Sequence, residues 1–139
     1  MKKLLVFLSL LLPLALIAQT AGENIDVTHY EIHVGDFDFT NHTLMGETFV
    51  TLTTTASTDT FVLELKSLNA TSVTSDGYSV NHFSQQGDFL IIVLDLPAPA
   101  GSTMTLDIGY MGSTFSETWG GVEWWGSDYV YNLGVGFES

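Results

Sequence analysis

The stretch "HYEIH" holds the side chains with the clearest metal-binding chemistry in this sequence. His29, Glu31 and His33 alternate along it, and alternate residues of a β-strand lie on one face. Two imidazoles and a carboxylate are suitable ligands for zinc or copper. The spacing is not that of HExxH, in which two histidines lie one helical turn apart and the glutamate acts as the base. We therefore expect a solvent-facing polar row that binds no metal tightly.

Three tryptophans near the C-terminal end form a second candidate site: Trp119, Trp124 and Trp125. Large aromatic rings on a β module can stack against a sugar ring. They can also cover the open end of a small hydrophobic core. The sequence leaves both interpretations open.

Other catalytic chemistry finds no support in the sequence. There is no cysteine, and no serine lies in a G-x-S-x-G motif. The carboxylates are scattered among alternating positions, so no glycosidase pair can be identified. We predict no catalytic residue and no metal ligand in this chain.

The elements that would carry these residues are almost all β-strands. In the first strand, residues 25–34, an apolar row of Tyr30, Ile32 and Val34 lies opposite the histidines. Strands at 43–55, 58–67 and 103–110 alternate in the same way, with their apolar residues pointing inward. The run "FLIIVL", residues 89–94, has no polar alternate, which predicts a central strand buried on both faces. We expect an all-β fold of strongly twisted antiparallel sheets, similar to a sandwich.

Turn signals divide these strands. The polar segment "GDFDFTNH", residues 35–42, predicts a turn, and Asp76-Gly77 predicts a hairpin. Residues 122–137 predict a further hairpin. Its second strand carries an apolar row that needs a partner, since an unpaired apolar edge promotes aggregation; the row is Tyr129, Tyr131, Leu133, Val135 and Phe137.

The first 18 residues have the pattern of a secretory signal peptide: two lysines, an apolar run and a small residue, Ala18, before the expected cleavage point. We predict a signal peptide over residues 1–18, a β domain over residues 19–139, and a secreted or periplasmic location. After cleavage, Lys66 is the only basic residue beside all 16 acidic ones. So acidic a surface repels phosphate backbones, which argues against a nucleic-acid partner. We expect no membrane anchor after cleavage.

The order of several segments is that of a known family. "IDVTHYEIHV", "TLMGETFVTLTT", "TDTFVLELKSLNATSVTSDG" and "GDFLIIVLDLPAPAGSTMTLDIGYMG" follow one another, and "VYNLGVGFES" ends the chain. This series resembles the N-terminal β domain of the aminopeptidase N family of zinc metallopeptidases, in its secreted bacterial branch. The resemblance covers residues 25–139, and "LDIGYMG" and "VYNLGVGFES" are its most specific parts.

The resemblance implies a full-length parent with a catalytic domain after residue 139, which would carry HExxH and zinc. This chain would then be a non-catalytic domain, incomplete at its C-terminal end, that packs on the catalytic domain and walls the cleft for peptide substrates. The family holds the free amino end of its substrate near the end of this domain. Glu138 is the one nearby carboxylate, and it is our candidate substrate-binding residue. The alternative is a free-standing secreted module that binds carbohydrate or protein through Trp119, Trp124 and Trp125.

Overall fold

The computed structural model describes residues 20–114, 116–117 and 120–132, and these ranges contain ten strands and no helix. Every pairing between them is antiparallel, which confirms the predicted all-β class. The strands are β1 Ile25–Asp38, β2 Thr43–Thr54, β3 Thr58–Glu64, β4 Asn69–Ser75, β5 Val80–Gln86, β6 Phe89–Ala98, β7 Thr103–Ser113, β8 Ser116–Glu117, β9 Gly120–Trp125 and β10 Tyr129–Asn132.

Two sheets form the sandwich. The large sheet has the order β1-β2-β7-β4, and the small sheet has the order β3-β6-β5. One hydrophobic core joins them, with Leu52 and Leu106 from the large sheet beside Phe61 and Ile92 from the small one. A third group, β10-β9-β8, follows β7. The core therefore lies between the inner faces of the two main sheets.

The inner rows follow the alternation of the sequence. In β7, the row of Met104, Leu106, Ile108 and Tyr110 is at most 7% exposed. The intervening residues of β7 point to the outer face, where Thr105 meets Thr51 at 3.2 Å between hydroxyl oxygens. Each fully buried large apolar side chain of this kind stabilises the fold by about 1.5–3 kcal/mol.

The apolar run in β6 occupies the centre of the small sheet, as predicted. Leu90, Ile92 and Leu94 are at most 2% exposed, but Phe89 is 41% exposed and the outward alternates are only half-buried. Burial on both faces is therefore a wrong prediction. The inner face packs against the large sheet, while the outer face of β6 retains contact with solvent.

Two turn predictions need correction. β1 continues to Asp38, so the turn is confined to residues 39–42. Asp76-Gly77 forms no hairpin, because β4 pairs with β7 while β5 pairs with β6. The backbone of Asp76 donates to the carbonyl of Thr105 at 3.1 Å, and its carboxylate accepts from the Thr105 amide. These bonds hold the start of the turn on β7, and the chain then crosses from the large sheet to the small one.

Candidate functional site

The polar row of β1 lies on the outer face of the large sheet. His29, Glu31 and His33 are all exposed, as the sequence predicts. Glu31 Oε1 lies 2.9 Å from Nε2 of His33, and Glu47 Oε2 on β2 lies 4.0 Å from its Nδ1. The ring of His33 also meets Phe49 edge-on, with 5.7 Å between centroids.

This row does not assemble a metal centre with its neighbours. Among the residues that the structure describes, no group of three His, Asp or Glu side chains is arranged to hold a metal ion. The row instead forms a pair between Glu31 and His33, with Glu47 at its margin. The row is an exposed polar face on which Glu31 and His33 carry opposite charges when the imidazole is protonated.

The apolar row of β1 points inward but is not buried. Tyr30, Ile32 and Val34 pair in register with Val50, Thr48 and Gly46 of β2. That register places them on the inner face, yet they are 54%, 60% and 48% exposed. β1 is an edge strand of the large sheet, which has four strands and packs on a small sheet of only three.

An open cavity of about 410 Å³ lies beside this apolar row, between the two sheets. Tyr30 and Val50 line it from the large sheet, and Leu63, Glu64 and Leu90 from the small sheet. Just before β1, the amide of Gly22 donates to the carbonyl of Val62 on β3 at 2.9 Å. The sandwich is thus open on the side where β1 and β3 form the sheet edges.

The tryptophans do not form one platform in the described part of the chain. Trp124 stacks on His42 with a centroid distance of 5.3 Å and an interplanar angle of 12°. Phe37 and Phe39 meet its ring edge-on at 6.1 and 5.4 Å, and its Nε1 donates to Thr114 Oγ1 at 2.7 Å. Trp124 therefore holds the β9–β10 hairpin against the end of β1.

Trp125 lies on the opposite face of the hairpin and is 69% exposed. Tyr129 is its direct partner on β10 and is 70% exposed, while Tyr131, two residues on, is 43% exposed. A continuous Trp124–Trp125 surface is therefore excluded, because neighbouring residues of a strand point to opposite sides. Trp119 and Glu138 lie outside the described residues, as do Leu133, Val135 and Phe137.

The contacts that Trp124 makes with the end of β1 were not predicted from the sequence. Phe37, Phe39 and His42 fall in the segment interpreted there as a polar turn. Two aromatic residues within a turn segment were the available signal, because exposed turns seldom need large rings. The sequence of β1 contains no signal that its inner residues Tyr30, Ile32 and Val34 would be exposed.

Comparison with known proteins identifies the fold. The chain is similar to the crystal structure of an M1 zinc metallopeptidase from Deinococcus radiodurans, with a TM-score of 0.60, 22% identity, and coverage of 68% of this chain and 22% of that one. It is also similar to the E323A mutant of an M1 zinc metallopeptidase from the same organism, bound to a Tyr-Ser-Ala substrate. That match has a TM-score of 0.59, 23% identity, and coverage of 69% and 22%.

A third structure, a two-domain M1 zinc metallopeptidase mutant bound to L-tryptophan, matches with a TM-score of 0.60 and 20% identity over 72% of this chain and 23% of that one. No family model matches the sequence, and no curated protein does. The chain spans about a fifth of the length of these metallopeptidases. At such identities the likeness establishes a shared fold, that of a β-sandwich-like portion of M1 metallopeptidases.

Within the described ranges, no helix is long and apolar enough to cross a bilayer.

Proposed function

We propose that this chain is the non-catalytic N-terminal β domain of a secreted zinc aminopeptidase. In the full-length parent it packs on the catalytic domain and forms one wall of the cleft that receives peptides. The observation that carries the proposal is the shared fold with M1 zinc metallopeptidases, in which the matched region is about 22% of a longer chain. The series of sequence segments that resembles the aminopeptidase N family supports the same assignment independently of the coordinates.

Zinc belongs to the parent in this proposal. The described residues offer no set of three ligating side chains that fits zinc, and HExxH is absent from the sequence. We therefore place the metal and the hydrolytic step in the catalytic domain. Glu138 stays our candidate for binding the free amino end of the substrate, and it lies outside the described residues.

The signal-peptide pattern of residues 1–18 is the basis for placing the protein outside the cytoplasm. We expect the exported chain to begin at Gln19, because Ala18 is the small residue that ends the apolar segment. N-terminal sequencing of the exported protein checks this. A mature chain that retains residues 4–17 would instead indicate an anchor.

The decisive test is the complete coding sequence of the parent. We expect HExxH and a later zinc-ligand glutamate in the same reading frame beyond Ser139. A stop codon directly after Ser139 would contradict the proposal.

An activity assay tests the non-catalytic role separately. The purified chain of residues 19–139 with added zinc should not hydrolyse amino-acid anilides, whereas the full-length parent should. Zinc-dependent hydrolysis by residues 19–139 alone would show that the domain is catalytic.

The exposed pair of Trp125 and Tyr129 supports a second candidate function, that of a secreted module that binds carbohydrate or protein. Two adjacent rings at about 70% exposure offer a stacking surface. Glycan-array binding that is lost in Trp125→Ala and retained in Trp124→Phe would favour this function.

A further inference from the structure

β1 is an edge strand with a regular central stretch. It pairs with β2 on one side, and in the described part of the chain no strand pairs with its other side. Its register shifts between Val27 and His29 and again between Gly35 and Asp38. Between these irregularities, residues 29–35 pair without interruption, and Ile32 is their midpoint.

The two faces of this stretch have opposite character. The inner face carries the exposed apolar residues Tyr30, Ile32 and Val34. On the outer face, Glu31 and His33 lie on either side of the midpoint. An exposed, regular edge with an apolar face is a template for another strand.

We propose that a second copy of this chain is that strand. Two β1 strands pair antiparallel with Ile32 on a two-fold axis, and the large sheets join into one sheet of eight strands. Such an interface is isologous, since the same patch serves both copies.

The alignment of side chains selects this register. With Ile32 on the axis, Ile32 lies opposite Ile32 of the second copy, and Tyr30 lies opposite its Val34. On the outer face, Glu31 lies opposite the second copy's His33, twice by symmetry. A carboxylate and a protonated imidazole on directly facing residues stabilise an antiparallel pair, and apolar pairs do the same on the other face.

Neighbouring registers are poorer. A shift of one residue would turn the apolar row of one copy to the polar face of the other. A register centred on Glu31 would place two carboxylates directly opposite each other and His29 opposite His33, which is unfavourable for like charges. A register centred on Tyr30 would pair Glu31 with His29, but it would place Ile32 opposite Thr28, at the register shift between Val27 and His29. The Ile32-centred register keeps all three apolar residues in contact with apolar residues and pairs the carboxylate with an imidazole on the other face.

The first experiment measures the dimer by sedimentation equilibrium of the chain of residues 19–139. We expect a reversible dimer, and Ile32→Lys should raise its dissociation constant at least tenfold, because two lysines would then meet on the axis. The matched control is Met111→Lys, since Met111 is also exposed, at 44%, but lies on the interior strand β7. That variant should dimerise like the parent sequence.

Crosslinking tests the register. The chain contains no cysteine, so Ile32→Cys introduces a single thiol. Directly opposed residues of antiparallel strands have Cα atoms about 4.5–5.5 Å apart, within the range that a disulfide spans. Under mild oxidation Ile32→Cys should become a covalent dimer, and Met111→Cys should not.

A charge exchange tests the outer-face pairing. Glu31→Lys and His33→Glu should each weaken the dimer, and the double variant should recover most of its affinity because both pairs are complementary again.

A chain that stays monomeric at about 100 μM, within the μM–mM range in which unpaired strand edges associate, would overturn the proposal and would indicate that β1 is covered within the chain itself. A dimer that withstands Ile32→Lys, or one in which both cysteine variants crosslink equally, would also overturn it. These outcomes are independent of the proposed function, because neither zinc nor a catalytic domain takes part in the measurement.

Discussion

β1 and β7 flank the same strand, β2, and carry the same kind of pattern, yet their inner rows differ in burial. The β7 row is at most 7% exposed, whereas Tyr30, Ile32 and Val34 of β1 are 48–60% exposed. β7 lies in the interior of the large sheet, and its inner row belongs to the core shared with the small sheet. β1 lies at the edge, where the cavity opens. Alternation assigns a residue to a face, but the width of the opposing sheet decides whether that face is covered.

The largest effect should separate the two rows directly. Leu106→Ala removes a fully buried side chain from β7 and should lower the free energy of unfolding by about 2–5 kcal/mol. Ile32→Ala in β1 should change it by about 0.5 kcal/mol or less, as for exposed positions. Urea denaturation at a concentration at which the chain is monomeric measures both. Equal losses would mean that the β1 row is covered in solution.

Substitutions of two glycines compare the packed interior of the large sheet with its edge. A Cβ on Gly46 would lie 2.5 Å from Cε2 and 2.7 Å from Cζ of Tyr110, a buried residue of β7. Gly46→Ala should therefore destabilise the fold by about 1–3 kcal/mol through overpacking. A Cβ on Gly35 of β1 would meet nothing within 4 Å, so Gly35→Ala is the control and should be close to neutral. Thermal unfolding compares the two; a neutral Gly46→Ala would mean that the Tyr110 ring moves aside without cost.

The end of β1 gives a smaller and more local effect. Trp124→Ala removes the ring that meets Phe37, Phe39 and His42, and such aromatic pairs contribute about 0.5–1.5 kcal/mol each. Amide hydrogen exchange should accelerate in β9 and β10 and stay unchanged in β7. Trp125→Ala, on the exposed face, should leave exchange unchanged in both. Acceleration throughout the large sheet would show that the hairpin is part of the global core.

The smallest effect concerns the turn after β1. The side-chain amide of Asn41, and then the backbone amides of Asn41 and Thr40, donate to the Asp38 carboxylate and lower its pKa below the usual 3.8. A lowered folded-state pKa stabilises the fold at pH values above 3.8, and this contribution is lost as the pH falls through the folded-state value. Asn41→Ala should move the pKa of Asp38 back toward 3.8, because it removes the largest cause. An NMR titration of the Asp38 carboxyl carbon measures this; an unchanged pKa would assign the shift to the backbone donors.

The sequence predicted the class of fold and, for most strands, which residues point into the core, because strand alternation is a local property. Phe61 in β3 and Leu106 in β7 point into the core as their patterns require. The predicted hairpin over residues 122–137 is confirmed in part by the pairing of β9 with β10, and residues 133–137 lie outside the described residues.

What the sequence did not predict is the partner of each strand. Asp76-Gly77 is a hairpin signal, but the bonds between Asp76 and Thr105 send the chain to the other sheet. Those bonds join residues 29 positions apart, and no local pattern encodes them. The exposure of Ile32 and the contacts of Trp124 depend in the same way on elements that are distant in sequence.

The position of β7 between β2 and β4 also sets an order of events when the chain folds. Thr53 of β2 pairs with Thr103, and Ser75 of β4 pairs with Leu106, so neither pairing can form until the last third of the chain is available. Pairings between distant residues form slowly, on a scale of about milliseconds to seconds. The β1–β2 hairpin is the piece of the large sheet that forms from neighbouring residues alone. The apolar row that stays open in the finished fold is therefore also exposed from the first moment of folding, when an encounter with another nascent chain competes with the arrival of β7.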